Sequence, residues 1–186
     1  MDTLLSRLLR GHGKKGEMKD IMLDIETLGT SFDAVIVQIG ACYFNRTGDI
    51  GEKLSLNVSI KDCLDKRLKV DAGALKFWFA QKNISWTLNP LSLSEALQRL
   101  RDFVSKKALI WSHATFDIPI IANAYHVIGQ KPPFSYRNTR DIRTLNDLAR
   151  VERAKNHEKL KVHDALKDCI YQVSYCVQCF KKLGKI

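Results

Sequence analysis

From Asp20 onward the apolar positions of the chain follow two periods. Residues 20–26 (DIMLDIE) carry little besides apolar side chains up to Asp24 and predict a buried strand. Residues 34–44 (AVIVQIGACYF) are β-branched and aromatic and predict a second. In KLSLNVSI (53–60), Leu54, Leu56, Val58 and Ile60 alternate with polar residues, the period of a strand with one wet face. The spacing then becomes helical. DAGALKFWFAQ (71–81) and SLSEALQRLRDFV (92–104) repeat apolar residues at i, i+3 and i+4, with Ser92 or Ser94 as N-cap. ALIW (108–111) is a short strand, and DIPIIANAYHVIG (117–129) is a helix with Pro119 in its first turn and Gly129 as its stop. A proline loop follows at Lys131-Pro132-Pro133, then helical patterns at about 141–151 and at 165–182. This order predicts an α/β domain with a mixed sheet whose first three strands form an antiparallel meander.

Residues 1–18 stand apart. A Leu-rich turn runs into GHGKKGE, a composition that suits a flexible basic tail ahead of a domain at 19–186. The chain carries a net charge of +10. Residues 1–19 hold five basic and two acidic residues, a balance of +3, which leaves +7 for the rest. Such an excess favours a polyanionic partner, nucleic acid first. No run approaches the apolar length of a membrane span, and the charged start does not read as a secretory signal, so the expected location is inside the cell. The five cysteines are odd in number and irregularly spaced, which argues against a disulfide framework. Cys176 and Cys179 form a C-x-x-C inside an apolar helical stripe, where packed thiols are the plainer reading than zinc.

The strand at 20–26 ends on two acids. Side chains alternate faces, so Asp24 and Glu26 point the same way about 7 Å apart. Two buried carboxylates repel and must both lose water, at a cost of several kcal/mol per charge. A divalent cation relieves this, since Mg²⁺ and its kin prefer carboxylate oxygens. The other reading is a strand end already in water. Two further stretches bear on the choice. WSHATFD (111–117) leads from a strand to Asp117 at a helix start, where an N-cap role is also natural. HDALKD (163–168) opens the last helix, and Asp168 sits beside the apolar stripe. With Asp164 as N-cap, His163 lies in the preceding loop, where it can lean over the same cleft as Asp168; a His just before a helix is otherwise more often a surface residue.

D-x-E-T in LDIETLG, then ATFD, then H-x-x-x-x-D in HDALKD resemble the three motifs of the DEDDh (DnaQ-like) 3′→5′ exonucleases, in the same order, over about residues 20–180. LKFWFAQ, ATFDIPIIANAY and YRNTRDIRTL resemble the phage and prophage exonucleases and the related bacterial exoribonuclease group. The resemblance implies an RNase H-like mixed five-stranded sheet flanked by helices, in a bacterial or phage-infected cytoplasm. It implies two Mg²⁺ or Mn²⁺ ions about 3.5–4 Å apart. Asp24, Glu26 and Asp168 would hold the first, Asp24 would bridge to the second, and Asp117 would anchor the second. His163 would be the general base, a role that suits an imidazole of ordinary pKa near about 6.5.

The implied substrate is the 3′ end of single-stranded DNA or RNA, with DNA expected first. Thr27 and Leu28, directly after the acids, would meet the terminal nucleotide, the family placing an apolar residue where Leu28 stands. His113, Phe116 and Tyr125 are candidate neighbours, although Phe116 and Tyr125 also suit the core. Relatives often carry Asn where this chain has Ser112-His113, so base preference does not carry over. Arg137, Arg140 and Arg143 could meet phosphates, Arg140 alternatively pairing with Asp141; Lys155, Lys159 and Lys161 could line the strand's path. A homodimer and a protein partner on the N-terminal tail, as in a proofreading subunit, stay open. A non-catalytic binding module would lack one of the four acids or the histidine, and all five are present.

Overall fold

The computed structural model describes residues 18–81, 84, 86–151 and 163–186. The tail proposed for residues 1–18 therefore lies outside them except for Met18, which is buried against the main core. Lys155, Lys159 and Lys161 also lie outside. Among the described residues five strands form one sheet in the order β3-β2-β1-β4-β5: β1 Asp20–Thr27, β2 Ile36–Phe44, β3 Ile50–Asn57, β4 Leu109–Ser112 and β5 Thr139–Asp141. β1 pairs antiparallel with β2, and β2 with β3, giving the expected meander. β4 and β5 run parallel to β1, so the sheet is mixed.

Six α-helices flank it among the described residues: α1 Ile60–Asp65, α2 Ala72–Phe79, α3 Leu93–Phe103, α4 Asp117–Val127, α5 Ile142–Ala149 and α6 Ala165–Lys182. Alternation along β1 divides the core. Ile21, Leu23 and Ile25 pack with α3 and α4, through Leu97, Leu100, Ile121 and Tyr125. Met22 points the other way, into a second cluster with Cys169, Val173, Cys176 and Phe180 of α6. Cys176 and Cys179 are buried free thiols, as the apolar stripe implied.

One boundary and one element differ from the periodic pattern. The strand expected at 53–60 spans 50–57 instead, because the Ser59 side chain accepts from the Asp62 amide and turns the chain into α1. The apolar alternation runs on through Val58 and Ile60 across that break, so it gave no warning. β5, which the pattern did not show, has only three residues, too few to show a period, and follows a 3-10 turn at Tyr136–Asn138 after the proline loop.

α6 is docked by close backbone contact. Gly40 lies opposite Asp24 in the β1–β2 ladder. A Cβ on Gly40 would come within 2.2 Å of the Ala165 carbonyl carbon. The amide of Ala165 donates to Gln38 Oε1 at 2.8 Å. Gly40 and Gln38 thereby set the start of α6 directly over the acidic end of β1.

Candidate active site

Asp24 and Glu26 stand on the α6 face of β1 near its carboxyl end, where β1 neighbours antiparallel β2 on one side and parallel β4 on the other. Crevices at such ends are the usual ligand sites of α/β sheets. Asp117 arrives from the loop after β4. It is the first residue of α4 rather than its N-cap, which is Phe116. Its carboxylate accepts the His113 amide at 2.8 Å. Asp168 lies in the first turn of α6, where the helix dipole favours an anion. Asp164 is the α6 N-cap, accepting the Lys167 amide at 3.1 Å, which leaves His163 in the loop just before the helix, as the sequence implied.

Asp24, Glu26, Asp117, His163 and Asp168 line one cleft of about 260 Å³ together with His113, Phe116, Arg143, Tyr171, Gln172 and Tyr175. Their donor atoms fall into two groups, Asp24 with His113 and Asp117, and Glu26 with His163 and Asp168, each group lying within 4.8 Å. No lysine or arginine pairs with Asp24 or Glu26 among the described residues; His113 Nδ1 lies 3.9 Å from Asp24. Burial, then the charge of Asp168, pushes Asp24 from near 3.8 up to about 7, against the hydrogen bond from Gln172. Burial, then the charge of Asp24, pushes Glu26 up to about 9. Burial and Asp24 hold Asp117 well above the ordinary carboxylate range. The electrostatics are those of negative charge compressed into little water, relieved only in part by the Arg143 guanidinium.

The substrate candidates divide. His113 and Phe116 border the cleft. Phe116 also lines an adjoining apolar pocket of about 280 Å³ with Thr27, Gly29, Phe77 and Trp78. Leu28, by contrast, is 3% exposed and packed in the main core. Tyr125 is a core residue whose hydroxyl donates to the Leu97 carbonyl. Arg140 donates to the carbonyls of Arg137 and Thr139. It is not paired to Asp141, whose carboxylate instead accepts the amides of Ala114 and Thr144. Of the three arginines, Arg143 is the one that borders the cleft.

Gln172 escaped the sequence reading. Its Nε2 donates to Asp24 Oδ1 at 2.7 Å, and its buried Oε1 has no hydrogen-bond partner among the described residues. Helical spacing holds the signal that could have found it: Gln172 lies four residues after Asp168, on the same face.

Solved structures share the architecture. E. coli exonuclease I in complex with a dA16 oligonucleotide aligns with a TM-score of 0.68 at 15% identity, over 89% of this chain and 41% of that one. S. pombe Pop2p in its Mg²⁺- and Mn²⁺-bound form aligns with a TM-score of 0.55 at 11% identity, over 89% of this chain and 84% of that one. The shared fold is the RNase H-like mixed sheet, and the chain spans about two fifths of the length of exonuclease I. The comparison with curated proteins finds no match. Residues 19–180 match the family described as the 3'-5' exoribonuclease Rv2179c-like domain, a span that takes in the whole sheet and every residue of the cleft. The chain belongs to that family of 3′–5′ exonucleases.

Proposed function

We propose that the protein hydrolyses single-stranded nucleic acid from its 3′ end, that Asp24, Glu26, Asp117 and Asp168 hold two Mg²⁺ or Mn²⁺ ions, and that His163 is the general base. One observation carries this reading: four acids converge in a cleft where burial and mutual repulsion hold three of them far above their ordinary pKa. The carboxylate oxygens of Asp24 with Asp117 and of Glu26 with Asp168 are the donors that hard divalent cations favour, and their division into two groups supports two ions, with Asp24 and Asp117 together rather than Asp24, Glu26 and Asp168 on one. Bound there, the ions would polarise the scissile phosphate and neutralise charge on the leaving 3′-oxygen.

The remaining work falls to the chain. His163, grouped with Glu26 and Asp168, takes the proton of the attacking water on a ring nitrogen. Gln172 holds Asp24 in one rotamer. Arg143 meets the phosphate backbone at the cleft wall. Phe116 and the apolar pocket beside it offer ring faces to a terminal base without reading its identity. RNA takes first place over the DNA expected from the sequence. The family description supports it, whereas the DNA complex of exonuclease I comes at an identity that speaks only to fold.

The test uses 5′-labelled RNA and DNA of one sequence, with Mg²⁺, with Mn²⁺ and with chelator. A ladder shortening from the 3′ end, abolished by chelator and faster on RNA, is expected. His163→Ala should lose roughly 10²–10⁴-fold in rate while still binding Mn²⁺. Shortening that persists in chelator, or that starts at the 5′ end, would overturn the reading.

A further inference from the structure

The base proposed above sits at an awkward place in the chain. His163 lies in the loop before α6, and it must stay in register with Glu26 on a different element. α2 supplies a physical link between them. Its start is fastened to the chain just after β1: the Asp71 amide donates to the Leu28 carbonyl at 2.8 Å, and the Thr30 amide donates to Asp71 Oδ2 at 2.9 Å. Its far end is fastened too, Trp78 Nε1 donating to the Thr27 carbonyl at 2.8 Å. Thr27 follows Glu26 directly, so α2 is referenced to the acid-bearing end of β1 at both of its own ends.

The same helix touches the histidine. The ring centroids of Phe77 and His163 are 4.7 Å apart with planes at 79°, and those of Trp78 and His163 are 5.6 Å apart at 77°. Edge-to-face contacts of this kind restrict a ring's rotation as well as its position. Trp78 is itself braced by Trp86 at 5.3 Å and is 3% exposed. Phe77 is 44% exposed, so its ring contributes little to the core. Its observed contacts are with His163, Trp78 and the apolar pocket beside the cleft.

We infer that Phe77, backed by Trp78, is a positioning residue: it holds the His163 imidazole in place relative to Glu26. The inference rests on the reading of His163 as general base. It concerns the rate of the chemical step, because a misplaced base lowers that rate even when substrate is fully bound.

A double-mutant cycle in single-turnover assays at saturating substrate tests it. Phe77→Ala in the wild-type background should slow cleavage about tenfold, and Phe77→Tyr, which keeps the ring, should restore most of the rate. In a His163→Ala background, Phe77→Ala should cost less than about twofold, since residues that act as a unit are not additive. An equal loss in both backgrounds would show that Phe77 acts through the pocket or the fold and would overturn the inference, leaving the role of His163 standing. An unchanged rate in Phe77→Ala would overturn it as well. A His163→Ala enzyme as fast as wild type would remove the base and the inference with it.

Discussion

The two ends of β1 carry the same chemistry and treat it in opposite ways. Asp20 and Asp24 lie four residues apart on one face of one strand, and both are 7% exposed. Asp20 is answered by the protein. Trp111 Nε1 donates to Oδ1 at 2.7 Å, and Arg46 Nε lies 3.4 Å from Oδ2. Arg46 and Trp111 are in turn packed against the ring of Phe180. At the other end Asp24 has the Gln172 amide, with Asp168, Glu26 and Asp117 crowded around it, and its pKa climbs to about 7. A buried carboxylate given a cation and a donor is part of the scaffold. A cluster of them left short of positive charge is poised to take that charge from a ligand.

The sharpest way to break this contrast is to remove one acid from each end. Asp24→Ala should abolish exonuclease activity, by roughly 10³-fold or more given the several kcal/mol that metal catalysis supplies. Asp20→Asn should leave the rate within about threefold and cost about 1–3 kcal/mol of stability in a denaturant melt. Comparable activity losses in the two variants would erase the distinction.

Gly40→Ala probes how the charged end is assembled. The added methyl meets the Ala165 backbone, which cannot swing away as a side-chain tip could. Overpacking should cost about 1–3 kcal/mol, and the displaced start of α6 should carry Asp168 out of place and slow cleavage. Wild-type stability and rate together would mean that the α6 contact is softer than its geometry implies.

Metal-free protein should also reveal the strained end through pH. The folded pKa values of Asp24 and Glu26, about 7 and about 9, lie above ordinary values near 3.8 and 4.5. Between those limits the folded state binds protons that the unfolded chain has released. Stability is therefore full below about pH 4 and falls as pH rises through 7 to 9. The melting temperature in chelator should drop from pH 5 to pH 8, and Mn²⁺ should raise it more at pH 8 than at pH 5. A flat profile would contradict the burial of these charges. The smallest effect is expected for Gln172→Leu, which keeps much of the bulk but frees Asp24; Mn²⁺ affinity should weaken about tenfold in a calorimetric titration.

Much of this was legible in the residues, and what was not has physical reasons. The last helix was readable at 165–182 because its stripe of Cys169, Val173, Cys176 and Phe180 repeats over many turns and Asp164 caps it. Asp24, Glu26, Asp117 and Asp168 stood out because charges beside apolar runs need an explanation. Distances between them were not readable, since Asp24 and Asp168 meet only through the closure of α6 onto Gly40 and Gln38. Leu28 looked like a contact for substrate by its position after the acids, yet its side chain is taken by the core. Arg140 looked as available as Arg143, and only the fold shows Arg140 turned to backbone carbonyls. Short elements such as β5 and α1 carry too few residues for periodicity to register.

The most direct measurement of the central claim is a titration of chelator-stripped protein with Mn²⁺ at pH 8, followed by calorimetry, for the wild type and for Asp24→Asn. The account predicts about two ions per chain in the wild type and loss of at least one in the variant, with exonuclease activity rising alongside occupancy. A wild-type isotherm without binding, or activity that appears before any ion binds, would contradict it.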